Sequence, residues 1–269
     1  MVKICKQLVL FFCIVFGAAL AIPFTLADAA KPVPDILAAC GTAAVQSVEN
    51  GETLITTDGI YLQLASIKAP ELWPDGSAYA SWPQAAWAQD KLERYVKGKT
   101  VGLFCEGETT SFDDRKIAHI QLPTGEWLQE ILVKQGAAYV FPRSNHLSGL
   151  EHLYATEDIA RRQNIGIWQT AKLVSADGED IRTGWFQVVR GTVLNVASVG
   201  GQTFLNFGTN WRRDFTAEIP GSALRTFKKA GIDPFSFQSR HVEVRGWVTW
   251  KGGPHIMLEG PGQIRMVSP

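Results

Sequence analysis

Asn50–Glu71 reads NGETLITTDGIYLQLASIKAPE. Asn50-Gly51 marks a turn, and Thr53 to Thr56 is an apolar and β-branched run suited to a strand. Asp58-Gly59 is a second turn of the kind that joins antiparallel strands. Tyr61-Leu62-Gln63-Leu64 alternates as the return strand, and Ala69-Pro70-Glu71 closes the segment, its proline unable to extend a ladder. The stretch is therefore predicted to be a strand–turn–strand unit ending in a carboxylate.

Outward from the hairpin, Trp82 to Lys97 is predicted to be a helix with Ala86, Leu92, Tyr95 and Val96 at helical spacing and Gly98 as its stop. Val101 to Cys105 and Ile117 to Leu122 follow as strands. Trp127 to Gly136 forms a second helix. Leu150 to Gln163 forms a third, with Leu150, Leu153, Ile159 and Ala160 expected on its core side, and Gly166-Ile167-Trp168 ends it.

These pieces, in this order, resemble the staphylococcal-type thermonuclease family. Its pattern DGDTL…DG…VRLxGIDAPE matches the opening stretch, and its DRYGRxLA matches Ser111-Phe112-Asp113-Asp114-Arg115-Lys116-Ile117-Ala118. The resemblance covers about 45–170 and implies a five-stranded Greek-key barrel of the OB type carrying three helices. The fold class is thus mainly β with α (α+β). Residue by residue, the family's general-base glutamate falls on Glu71 and its second arginine on Arg115. Its first arginine has become Gln63. Of its two calcium-binding aspartates, one has become Glu52 and the other Lys68.

That exchange bears on chemistry. Phosphodiester hydrolysis of this type needs a carboxylate base, a hard cation held by oxygens, and two guanidiniums on the phosphate. Gln63 donates a hydrogen bond without a charge, and Lys68 puts an ammonium where calcium would want a carboxylate. Lys68 reads in two ways: as a cation standing in for the ion and paired with Glu71, Glu52 or both, or as a solvated turn lysine. The family's cofactor is calcium. For this chain the expectation is none, and no metal ligand set is assigned, His241 and His255 lacking partners at ligand spacing.

Residues 1–30 read as a signal peptide, with Lys3 and Lys6 ahead of an apolar run from Leu8 to Ala21 and a small-residue cleavage site at Ala27-Asp28-Ala29. The run is short for a membrane span, which implies an exported, periplasmic or secreted protein with no stable span after cleavage. Cys5 and Cys13 leave with that segment. Cys40 and Cys105 remain, and in an oxidising compartment they read as one disulfide, or else as two separate buried thiols.

Residues 31–173 form the thermonuclease-like part and 174–182 (VSADGEDIR) a polar linker. Residues 183–269 carry strands at Phe186–Val196, Gln202–Phe207, Asp214–Ile219, His241–Trp250 and His255–Leu258. A short helix, Ser222 to Lys229, places Leu224, Phe227 and Ala230 on one side. Three strands, a helix and two strands is an OB-like order, so a second small barrel is expected. Trp211-Arg212-Arg213 with Phe204, Phe207, Trp247 and Trp250 reads either as a stacking surface for a single strand or as barrel core. Residues 31–173 hold 13 Lys and Arg against 17 Asp and Glu, and 174–269 hold 11 against 8. The nuclease-like half therefore lacks the basic footprint that polyanion binding favours. Three functions stay open: a binding protein for nucleic acid, another polymer or an envelope protein; a working phosphodiesterase using Glu71 and Arg115; and a structural envelope component.

Overall fold

The computed structural model describes residues 33–268 except 36, 74–80, 107–108, 112, 144–145 and 211. The predicted signal peptide at 1–30 and Trp211 lie outside the described residues.

The first half is organised by one long strand. β1 (Ala38–Asn50) pairs antiparallel with β2 (Thr53–Thr56) through its second half, and β2 returns as β3 (Tyr61–Leu64). The β2–β3 turn uses Gly59 at φ 80°, a left-handed conformation that costs glycine little. After β3 the chain turns at Ser66 into β4 (Ile67–Lys68), passes through α1 (Ala85–Val96) and returns in β5 (Thr100–Cys105) and β6 (Lys116–Gln121). β3 and β6 run parallel, and β5 closes the ring on the first half of β1, giving a barrel of order β1-β2-β3-β6-β5. Irregular register steps along β1 let one strand bend around the barrel and serve two partners. α2 (Leu128–Lys134), β7 (Tyr139–Val140) and α3 (Leu150–Arg162) complete this half, with β7 pairing β4.

The barrel core includes Leu54, Leu62, Leu64, Leu92, Ile120, Leu128 and Leu132, all almost fully buried. In α1 the buried stripe is Ala85, Ala88, Leu92 and Val96, while the predicted core residue Ala86 faces solvent. The stripe is set by Ala85, one position earlier than expected. In α3, Ile159 is 46% exposed, against expectation. That helix buries Leu153, Thr156, Glu157 and Ala160, spaced i, i+3, i+4 and i+7 along one face, leaving Ile159 outward. Cys40 and Cys105 form a disulfide that ties β1 to the end of β5 across a separation of 65 residues. A loop of that length contributes on the order of 4 kcal/mol in the chain-entropy account.

The stretch 174–182 is not wholly a linker. β8 (Val174–Ser175) pairs in parallel with β9 (Phe186–Thr192), and Ala176 enters the second core. β10 (Asn195–Val199), β11 (Gln202–Asn206) and β12 (Thr216–Ile219) follow. Next come α4 (Gly221–Lys229), β13 (His241–Trp250), β14 (Pro254–Met257) and β15 (Ile264–Met266). The strand order is β10-β11-β12-β14-β13-β9-β8, with β12 and β14 parallel and β15 on β13. This path repeats the pairing of the first half, with β9 and β10 together in the place of the long β1. In α4 the buried residues are Ala223 and Phe227. Leu224 is half-buried and Ala230, just past the helix end, is exposed, so the expected face is shifted.

The two halves are joined by a buried ionic network. Arg245 on β13 is fully buried and donates to Val140 O (2.6 Å) and to both oxygens of Glu157 on α3 (2.9 and 3.0 Å). Glu243 accepts from Arg161 (2.7 Å), Arg190 (2.6 Å), Arg265 (2.6 Å) and Arg245 (3.3 Å). Burial raises the Glu243 carboxyl, but these guanidiniums, Arg161 foremost, outweigh it and hold the group below the usual carboxylate range. Arg245 and Arg265 both lie over the Tyr154 ring, at 4.4 and 4.5 Å from its centroid, and Tyr154 donates its hydroxyl hydrogen to Gly262 O. Beside the network, Trp82, Phe141, Trp168 and Phe186 form an aromatic cluster that draws on both halves.

Candidate functional site

Three short segments converge at one end of the first barrel. Gly51 brings the β1–β2 turn against the chain after β4: a Cβ there would meet Ala69 Cβ at 2.7 Å, so only glycine permits the approach. The next residue, Glu52, thus lies beside Ala69 and accepts its N–H through Oε2 (2.6 Å). The other Glu52 oxygen accepts from Lys68 Nζ (2.9 Å) and from Gln63 Nε2 (3.3 Å). Lys68 is held in place because β4 pairs with β7, Lys68 opposite Tyr139. Its ammonium also bonds Glu71 Oε1.

The lysine is 4% exposed, Glu52 4% and Gln63 6%. Burial lowers the lysine pKa, but the Glu52 and Glu71 carboxylates outweigh it, so the ammonium holds its proton above the ordinary lysine value. Of the readings open for Lys68, the structure therefore has it paired with both carboxylates. Glu71 Oε2 is buried and has no partner among the described residues. Every other carboxylate oxygen of the pair is occupied by a protein donor. A calcium ion takes six to eight oxygens, most of its affinity coming from carboxylates. The residues present do not fit that ion, because one oxygen is free and a positive charge lies between the two acids.

Arg115 sits at the edge of this site rather than within it. It bonds Glu49 in a salt bridge, Asp113 (2.7 Å) and Thr53 Oγ1 (3.3 Å), and lies 5.6 Å from the Tyr61 ring centroid. Glu71 is not among its partners. Burial lowers the Arg115 pKa, but Glu49 and then Asp113 more than compensate, leaving it raised. Its charge is thus shared between two carboxylates. Glu49, Thr53 and Tyr61 escaped the sequence reading, although Glu49 directly precedes the Asn50-Gly51 turn and Tyr61 alternates with Gln63 on β3.

The second set of candidates does not form one surface. Phe207 is in the second core and Trp247 packs into the aromatic cluster between the halves. Trp250 is 64% exposed, and Phe204 is half-buried with Lys251 Nζ 5.7 Å from its ring centroid. Arg213 has an 81% exposed side chain, and Arg212 lies beside it, near the β13–β14 turn at Gly252 and Gly253. His255 pairs with Glu218 at 2.9 Å and His241 with Thr192 at 3.2 Å. Among the described residues no cluster of three or more His, Cys, Asp or Glu is arranged to hold a metal.

Residues 61–170 match the family model of the staphylococcal nuclease homologues. This part of the chain is a staphylococcal nuclease homologue domain. The matched span of the nuclease homologue takes in Gln63, Lys68, Glu71, Cys105 and Arg115, whereas Glu52 and Cys40 precede it. No curated protein matches the chain. Among the described residues no helix is long and apolar enough to cross a membrane.

Proposed function

We propose that this chain is an exported, catalytically reduced nuclease homologue that binds nucleic acid, or another polymer or protein partner, with little or no calcium-dependent cleavage. The observation that carries this reading is Lys68 Nζ lying between Glu52 and Glu71. An ammonium there supplies the positive charge without the open coordination that a catalytic ion needs to hold phosphate and water. Gln63 adds to the deficit, since it brings no charge to a phosphate and loss of one preorganised electrostatic contact lowers rate by about 10²–10³. Exposed Arg212, Arg213, Lys251 and Trp250 at one end of the second sheet supply cations and one ring for a single strand. Export is supported by the Cys40–Cys105 disulfide.

A second reading, slow phosphodiester hydrolysis, is favoured by Glu71 Oε2, a buried carboxylate oxygen that has no partner among the described residues and can accept a proton from water. One experiment separates the readings: purified protein and its Glu71→Gln variant incubated with single-stranded DNA and RNA, with calcium and with chelator. Salt-sensitive gel retardation without cleavage is expected. Cleavage abolished by Glu71→Gln establishes the second reading, and neither retardation nor cleavage leaves a structural envelope role.

A further inference from the structure

A cleft of about 410 Å³ opens between the two halves beside Pro70, the residue preceding Glu71. It falls within the roughly 300–1,000 Å³ usual for small-molecule sites, and domain interfaces are where such sites concentrate. Trp82 and Tyr139 come from the first half, Trp185 and Phe186 from the second. Trp82 and Trp185 stack at 6.4 Å, and Tyr139 and Phe186 lie 5.2 Å apart, so the rings support one another as a wall.

Four polar side chains of this cleft are available. The Tyr139 hydroxyl, the Lys172 ammonium, the Asp180 carboxylate and the Arg182 guanidinium line it, and none has a hydrogen bond or ion pair among the described residues. Gln187, by contrast, is occupied: it accepts from Arg182 N (2.7 Å) and donates to Asp180 O (3.1 Å), which fixes the rim loop to β9.

We infer that this interdomain cleft is a binding site for a short, neutral saccharide. A pyranose ring presents an apolar C–H face to an aromatic wall and an equatorial belt of hydroxyls that donate and accept. Trp185 and Tyr139 match the first, and the free phenol, carboxylate, ammonium and guanidinium match the second. A polyanion would need a basic lining, but Asp180 offsets one of the two cations. An apolar peptide side chain would leave the half-buried Tyr139 hydroxyl unpaired, which is unfavourable. The inference is independent of the reading of Lys68.

The test is a titration of the purified protein with chitotriose and maltotriose, followed by tryptophan fluorescence and saturation-transfer NMR, beside a hexathymidylate and a proline-rich peptide. Saturable binding of at least one trisaccharide is expected at concentrations up to about 10 mM. Trp185→Ala should weaken it roughly tenfold. Tyr139→Phe keeps the ring and should weaken it about threefold while the thermal midpoint stays unchanged. The inference is overturned if neither sugar binds, if Tyr139→Phe leaves sugar affinity unaltered in a folded protein, or if only the oligonucleotide or the peptide occupies the cleft.

Discussion

The molecule buries charge in two places by opposite arrangements. At the barrel end one ammonium, Lys68, is shared by two carboxylates, and one acid oxygen is left over. Between the halves four guanidiniums, those of Arg161, Arg190, Arg245 and Arg265, meet Glu157, Asp158 and Glu243 in bonds of about the ideal length. Burying ions costs several kcal/mol each unless partners and hydrogen bonds compensate. The arginine network answers that cost with planar, multidentate donors and holds two halves in register, although Arg161, Arg190 and Arg245 each keep a buried Nε without a partner among the described residues. The lysine site answers it with a single ammonium, and Glu71 Oε2 stays without a partner among the described residues.

Breaking each cluster should show the contrast. Arg245→Met takes from fully buried Glu157 the guanidinium that bonds both its oxygens, leaving Arg161 at 3.2 Å, and removes one of the four guanidiniums on Glu243. It should lower stability by about 4–5 kcal/mol and increase tryptophan exposure at the interface, as read by urea unfolding and acrylamide quenching. Lys68→Met strands Glu52 but leaves Glu71, which is partly exposed, able to regain water. The expected loss is about 3 kcal/mol, and an equal or larger loss than for Arg245→Met would reverse the ranking of the two sites.

The pH response sharpens the comparison. Lys68 has a raised pKa in the folded state, so its contribution is fully present below the ordinary lysine value of 10.5 and lost as pH rises through the higher folded value. The stability difference between the parent chain and Lys68→Met should therefore shrink above about pH 10.5, whereas the difference for Arg245→Met should not. Glu243 behaves in the other sense: its depressed pKa gives stability present above the unfolded carboxylate value and lost only as pH falls well below it.

A buried group with no hydrogen-bond partner among the described residues completes the series. His119 is fully buried against the Trp127 ring, neither of its nitrogens has a partner among the described residues, and burial, followed by His146, lowers its pKa to about 3. Below pH 6.5 the unfolded chain takes up a proton that the folded one refuses. Stability should fall by about 1.4 kcal/mol per pH unit towards pH 3 from this group, and His119→Phe should flatten that limb in urea unfolding series. The smallest effect belongs to Arg115→Ala, whose partly exposed pairs should contribute no more than about 1 kcal/mol.

How far the sequence reveals these regions follows from their geometry. The hairpin from Asn50 to Glu71, with Glu52, Gln63, Lys68 and Glu71, is local, and turn residues at fixed offsets make it legible. The Cys40–Cys105 pair is legible because reading residues 1–30 as a signal peptide sets Cys5 and Cys13 aside and leaves two thiols. The arginine network is not. Glu243 and Arg245 alternate with Val242 and Val244 along β13, which is the pattern of a half-solvated strand, and only the docking of α3, some 85 residues earlier, buries them. Ile159 misleads because the buried stripe through Leu153 and Ala160 runs over polar Thr156 and Glu157, which apolar spacing alone does not pick out. Phe207 and Trp250 share an aromatic character that says nothing about which of them points outward.

The central claim is that Lys68 holds the position a divalent ion would otherwise take. Calorimetric titration of the purified protein with calcium, beside a Gln63→Arg/Lys68→Asp double variant, tests it most directly. The account predicts no saturable heat for the parent chain up to about millimolar calcium, the weak end of protein sites, and measurable binding for the double variant. Sub-millimolar binding by the parent chain that Glu52→Gln abolishes would contradict it.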